Sequence, residues 1–293
     1  MKSVWRWILS ASGLAILFAC VSRVGGAQVP QITYLTGQDI MPVYEGWRQK
    51  TDGTFDMIFG YLNRNYQQEL YIPLGPDNNL EPGGPDRGQP TFFYSRRRSF
   101  QFRVNVPKDW GAKELTWTLT ANGVTETAYG SLKPVWQIDL LTEIMNTGAS
   151  VRNLVANRNQ SPTLTIDPLT ALAMPAPATL TALVQDDGLP PPRPERGGRS
   201  GADTAEPLFL NAPLPREPST PSTLSITWIV FRGPKSVVFE PDGWVPVKSG
   251  QKTVRTARFT EPGTYLLRAI AHDGMVQTTQ DITVTVSGAA TQR

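Results

Sequence analysis

The sequence predicts a mainly β chain built as two sandwiches, and three observations carry that prediction. Apolar residues recur at every second position through most of the chain, which is the spacing of half-buried strands. Its 25 glycines and 26 prolines make about 17% of the residues against a usual ~12%, enough for many tight turns. Only one stretch, near the middle, loosens to the three-and-four spacing of a helix. A length of 293 residues suits two sandwiches of ordinary size.

The N-terminus reads as an export signal. Lys2 and Arg6 precede an uncharged apolar run from Trp7 to Val21. That run has the length of a secretory h-region and falls short of the ~20 residues that span a bilayer. Gly25 and Ala27 then place small side chains at the two positions a signal peptidase reads, so residues 1–27 are expected to be removed by a cut after Ala27. The competing reading takes Leu17 to Cys20 as a lipobox with Cys20 acylated, although Phe18 is bulky where such boxes carry a small or β-branched residue. Both readings export the chain, to the periplasm or the cell exterior, with no membrane span after processing. Cys20 is the one cysteine, so after the cut at Ala27 stability must come from packing and not from disulfides. With Lys2, Arg6 and Arg23 set aside, 25 basic groups face 25 acidic ones. That balance argues against a nucleic-acid partner, which would need a clustered positive field.

Residues 30–137 are expected to form the first sandwich. Phe100, Phe102, Val104 and Val106 share one face of a strand, and Leu115 to Thr120 repeats the alternation. Asn122-Gly123 then supplies a hairpin turn into Thr125 to Gly130. Pro73 to Pro90 reads as a loop, because its prolines remove ladder donors and its glycines free the backbone. Residues 138–160 are the connection. A short helix is expected within Ile138 to Ala156, with Asp139 as N-cap and Gly148 as stop.

Residues 161–287 carry the second sandwich, read as seven short strands separated by turn residues. Leu224 to Phe231 sets Trp228 on the face of Leu224, Ile226 and Val230, and Ile282 to Val286 closes the sheet with every second residue apolar. Leu189 to Ser222 interrupts it with nine prolines and with Arg193, Arg196 and Arg199. Such a segment cannot join a central ladder and reads as a disordered, partly polyproline excursion.

These features carry a resemblance. Leu180 to Pro190, Trp228 with Gly233-Pro234, Val238-Phe239, Phe259 to Arg268, Asp273-Gly274 and Ile282 to Val286 together resemble the polycystic-kidney-disease (PKD) and related cadherin-like or immunoglobulin-like repeats of exported bacterial proteins. The resemblance implies two immunoglobulin-like sandwiches overall, with Trp228 as the buried core ring and Tyr265, after the Pro262-Gly263 corner, as a tyrosine corner. The interval from Leu189 to Ser222 is longer than such repeats usually have. Residues 53–139 resemble the leading region of uncharacterised exported bacterial proteins, which names no activity.

Candidate sites are few. Asp186, Asp187 and Asp273 come from loops that a sandwich brings to one pole, and calcium takes six to eight oxygens. The simpler reading, and the one we favour, is that these Asp-Gly pairs make turns by bonding their own backbone. His272 beside Asp273 suggests a general base, but no activated Ser or Cys motif accompanies it, so it reads as structural. Arg96-Arg97-Arg98 would attract acidic groups, yet between aromatic strands it reads as a solvated turn or a charged, protected sheet edge. Trp47, Trp110, Trp136 and Trp244 would stack on sugars if exposed, and most are expected in the core.

No catalytic residue and no cofactor are therefore assigned. The expected function is a non-catalytic interaction, adhesion or scaffolding module with a protein or glycan partner. The alternative is a carbohydrate-binding accessory protein or an Asp/Glu-dependent carbohydrate-active enzyme.

Overall fold

A computed structural model describes residues 34–146, 159–169, 171–190 and 221–288. The expected export signal, Cys20 and most of the proline-rich excursion lie outside the described residues. Among those described, no helix is long and apolar enough to cross a membrane.

The N-terminal sandwich pairs β1 (Ile40–Gln49), β2 (Phe55–Asn63) and β6 (Arg96–Val106) in one antiparallel sheet, in the order β1-β2-β6. The second sheet is β4 (Asn78–Glu81), β7 (Leu115–Ala121) and β8 (Val124–Gly130), with β7 central. A ribbon of β3 (Leu70–Tyr71) and β5 (Phe92–Phe93) completes it. Met57, Phe59 and Phe102 from the first sheet share a core with Leu80, Trp117 and Leu119 from the second. Trp117 is fully buried among the rings of Phe59, Phe93 and Phe102. Its indole N–H donates to Asn78 Oδ1 at 3.0 Å, which satisfies the polar edge of a buried ring. The hairpin turn forms as expected: Asn122 and Gly123 adopt φ of 49° and 80°, the left-handed pair that matches the twist of two-residue hairpins.

Two expectations need correction. Pro73 to Pro90 is not loop throughout, because it contains β4, which pairs with β7. The buried Asn78 amide donates to the carbonyls of Ile72 and Pro90, so side-chain bonds hold the proline-rich flanks that ladder bonds cannot. The arginine triplet does begin an edge strand, β6, but it is not a solvated turn. Arg96 lies over the Tyr66 ring at 3.8 Å, Arg97 pairs with Glu45 at 2.6 Å, and Arg98 sits 5.3 Å from the Tyr94 ring. Each guanidinium is folded onto a protein partner, so the triplet offers no free cationic patch.

The C-terminal sandwich has an immunoglobulin-like arrangement. One sheet runs β10-β17-β16-β12-β14 and the other β13-β15-β11-β9. Their ranges are β9 (Thr163–Ile166), β10 (Ala171–Ala173), β11 (Ala178–Gln185), β12 (Ser225–Arg232), β13 (Val237–Glu240), β14 (Val245–Pro246), β15 (Lys252–Phe259), β16 (Gly263–His272) and β17 (Gln277–Ser287). Among the described residues nine strands stand where seven were expected. The short β10 escapes a periodicity search because only its parallel pairing with β17 makes it a strand. Trp228 projects from β12 into the core with Ile226 and Val230. Tyr265 is fully buried and its hydroxyl donates to the Glu261 carbonyl at 2.9 Å. A side chain at Gly233 would overlap the Tyr265 ring, which is why the chain needs glycine there.

The two sandwiches exchange aromatic side chains. Adjacent residues of a strand point to opposite faces, so Phe93 enters the N-terminal core while Phe92 enters the C-terminal one. In return, a bulge in β12 between Val230 and Arg232 presents Phe231 to the N-terminal core. Around these rings Thr91 N donates to Phe231 O, Gly233 N to Thr91 Oγ1 and Val230 N to Tyr94 Oη. Arg232 grips Asp86 through both guanidinium nitrogens at 2.8 and 3.0 Å. Arg268 stacks on Phe231 at 3.5 Å while holding Asp281 at 2.7 Å.

Candidate functional site

A cavity of about 400 Å³ lies where α1 (Leu140–Asn146) meets both sandwiches. Its position follows from a bulge in β1 between Tyr44 and Gly46. A bulge shifts the two-residue phase, so Tyr44 and Trp47 both enter the core and Arg48 turns outward. Gly46 lets the following segment approach, since a Cβ there would stand 2.5 Å from Trp136 O and 2.9 Å from Ile138 Cγ2. Ile138 N donates to Trp47 O, which docks the chain along β1 just before the helix. Asp139 caps α1 through Thr142 N at 2.7 Å, as the sequence predicts. The remainder of the expected helix, with Gly148, lies outside the described residues.

The first turns of α1 then carry the charge that organises the cleft. Glu143 is buried and meets Arg103 at 2.6 Å and Arg48 at 3.6 Å. The next residue, Ile144, packs with Met275 and Val276 of the β16–β17 turn, so the helix touches both sandwiches. His272 completes the wall. Its Nδ1 accepts the Gly274 N–H at 2.8 Å, and its ring meets Trp244 edge-on.

Burial pushes the His272 pKa down to about 4, so the ring is neutral at pH 7. A folded-state value below the unfolded ~6.5 means that unfolding takes up a proton. The stabilisation is fully present above pH 6.5 and is lost as pH falls toward 4. Each pH unit in that window is worth about 1.4 kcal/mol, so acidification should cost up to about 3 kcal/mol through this group. Burial raises the pKa of Asp273 and Asp186 in the folded state, which acts in the opposite sense. Denaturation of wild type against His272→Asn, from pH 7 to 4.5, isolates the histidine. Parallel curves for the two proteins would show that His272 is not buried neutral.

Asp186, Asp187 and Asp273 do share a pole, and burial first, then the neighbouring Asp273 and Asp187 charges, raise Asp186. Their oxygens are already engaged, however. Asp273 accepts from Met275 N, Val276 N and Asn159 Nδ2. Asp187 accepts from Leu189 N and Gln160 N, and Asp186 from Gly188 N. Only Asp186 Oδ1 is left buried without a partner. Among the described residues no three acidic, histidine or cysteine groups form a set that would hold a metal ion. Millimolar calcium should leave the melting temperature unchanged. A rise abolished by Asp187→Asn and Asp273→Asn would overturn this.

Of the four tryptophans considered for sugar stacking, Trp47 and Trp110 are buried in the N-terminal core. Trp244 is half-buried against His272, and Trp136 is exposed. Sequence reasoning missed Arg48, Arg103 and Glu143. The alternation of Phe102 and Val104 does place Arg103 on the outer face, but nothing local pairs it with a glutamate 40 residues away.

No protein-family model matches the chain, and no curated protein does. Similar solved structures include domains 4 and 5 of the S-layer protein SbsC, at 9% identity and a TM-score of 0.24, covering 60% of this chain and 66% of that one. The fibronectin(III)-like modules of Clostridium thermocellum CbhA align at 10% identity and 0.24, over 87% of this chain and 97% of theirs. A domain pair of intimin aligns at 11% and 0.24, over 84% and 100%. With these scores so low, the fold class rests on the chain's own strands.

Proposed function

We propose that this is a non-catalytic exported bacterial protein, acting as an interaction, adhesion or scaffolding module in the periplasm or at the cell surface. Its second sandwich is read as a PKD or cadherin-like repeat. The observation that carries the reading is the exchange of Phe92 and Phe231 between the two cores. It fixes the sandwiches as one stiff unit, which suits a spacer or a presenting surface. The cleft supports the same reading, because its one histidine spends Nδ1 on the Gly274 backbone N–H. Export rests on residues 1–27. Mass spectrometry of protein from the native cell envelope should find Gln28 as the mature N-terminus, and an acylated Cys20 would replace that expectation with a lipid anchor.

One observation favours the carbohydrate-binding alternative: Trp136 is 44% exposed. A glycan array probed with the whole chain decides between the two. Reproducible binding lost in Trp136→Ala would favour the carbohydrate reading, and an empty array the protein-interaction one.

A further inference from the structure

We propose that the cleft between β1, β6, α1 and the β16–β17 turn binds a small organic carboxylate, with Arg48 as its anchor. The proposal rests on reading the protein as a binding module. Two guanidinium groups converge on one carboxylate. Arg103 Nη2 holds Glu143 Oε1 at 2.6 Å, while Arg48 Nη1 stands 3.6 Å from Oε2. Each guanidinium offers five N–H donors and a carboxylate accepts about four bonds, so the two cations are one anion short. Both guanidinium groups keep donors to spare, and Arg48 is the less firmly held of the two. Its side chain is 34% exposed, and among the described residues its one ion pair is the longer of the two. In the neighbouring groove, which Arg103 also lines, Arg232 and Arg268 are each matched by an aspartate at 2.8 and 2.7 Å.

The rest of the cleft selects among anions. Its volume of about 400 Å³ falls in the range of small-molecule sites. Ile144, Met275 and Val276 give it an apolar wall, which suits a hydrocarbon body and not a phosphate. His272 contributes no charge but, with Nδ1 accepting from Gly274, keeps its proton on Nε2. A single surplus positive charge with planar, paired donors matches one carboxylate better than a dianion. Such a group occurs both on a free aliphatic acid and at the C-terminus of a peptide.

Calorimetric titration of the whole mature chain tests this with three probes: hexanoate, a tripeptide ending in leucine, and the same tripeptide amidated. Saturable binding of either free carboxylate, without binding of the amide, is expected, and whichever acid binds identifies the source. Arg48→Met should weaken that binding at least tenfold, or about 1.4 kcal/mol, with Arg48→Lys intermediate. Both variants should fold, since the ion pair lost is long and partly exposed. Equal binding of the amide, unchanged binding in Arg48→Met, or no saturation by either acid would overturn the assignment and leave the binding-module reading standing. Chemical conversion of the hexanoate would instead overturn that reading, and the proposal with it.

Discussion

Phe231→Ala should lower stability by about 3 to 5 kcal/mol, the range for removing a buried aromatic ring, and shift the melting temperature on the order of 10 °C. Phe231 is 3% exposed, yet it is buried in the core of the other sandwich. Its loss therefore removes packing from the N-terminal sandwich and the platform under Arg268, while leaving the C-terminal core intact. Wild type should melt in one calorimetric transition because the cores share rings, and the variant should resolve into two. Val238→Ala is the control. That side chain is 51% exposed, and its loss should cost less than about 0.5 kcal/mol. A Phe231→Ala protein melting like wild type would show that the exchange does not couple the sandwiches.

Trp228→Ala is expected to cost a similar amount, about 3 to 5 kcal/mol, but on the other side of the junction. The ring is 4% exposed and packs in the C-terminal core with Ile226, Val230 and Tyr265. The damage should fall on the C-terminal transition first. Urea denaturation followed separately in the two halves would test this, and a midpoint near wild type would place the ring outside the core.

The pH effect at His272 is smaller, because only one protonation equilibrium drives it. It is the better probe of the cleft, since the same burial that depresses the pKa keeps the ring neutral beside Arg103 and Glu143.

The residues by themselves determined everything that depends on near neighbours. Alternation along Phe102 to Val106 and Leu224 to Phe231 identified strands and their inner faces, because a pleated backbone sends successive side chains to opposite sides. Phe100, expected on the same face, instead lines the cleft because the register of β6 shifts there. Asn122-Gly123 specified its turn and Asp139 its helix cap, since both act over two or three residues. The neutral charge balance argues against a nucleic-acid partner, and the apolar N-terminus gives the expected compartment.

Tertiary structure decided what depends on register and on distant partners. β4 and β10 are strands only because β7 and β17 lie beside them. The arginine triplet read equally as a solvated turn or a protected sheet edge until β1 and neighbouring aromatic rings were seen to lie against it. The bulges at Gly46 and Phe231 each add one residue to a strand, and nothing in the hydrophobic pattern announces them. Yet the first aims Arg48 into the cleft and the second sends Phe231 into the opposite core. The cleft is legible only in three dimensions, because an ion pair is set by the distance between side chains in space, and the chain separation of Arg48, Arg103 and Glu143 carries no trace of it.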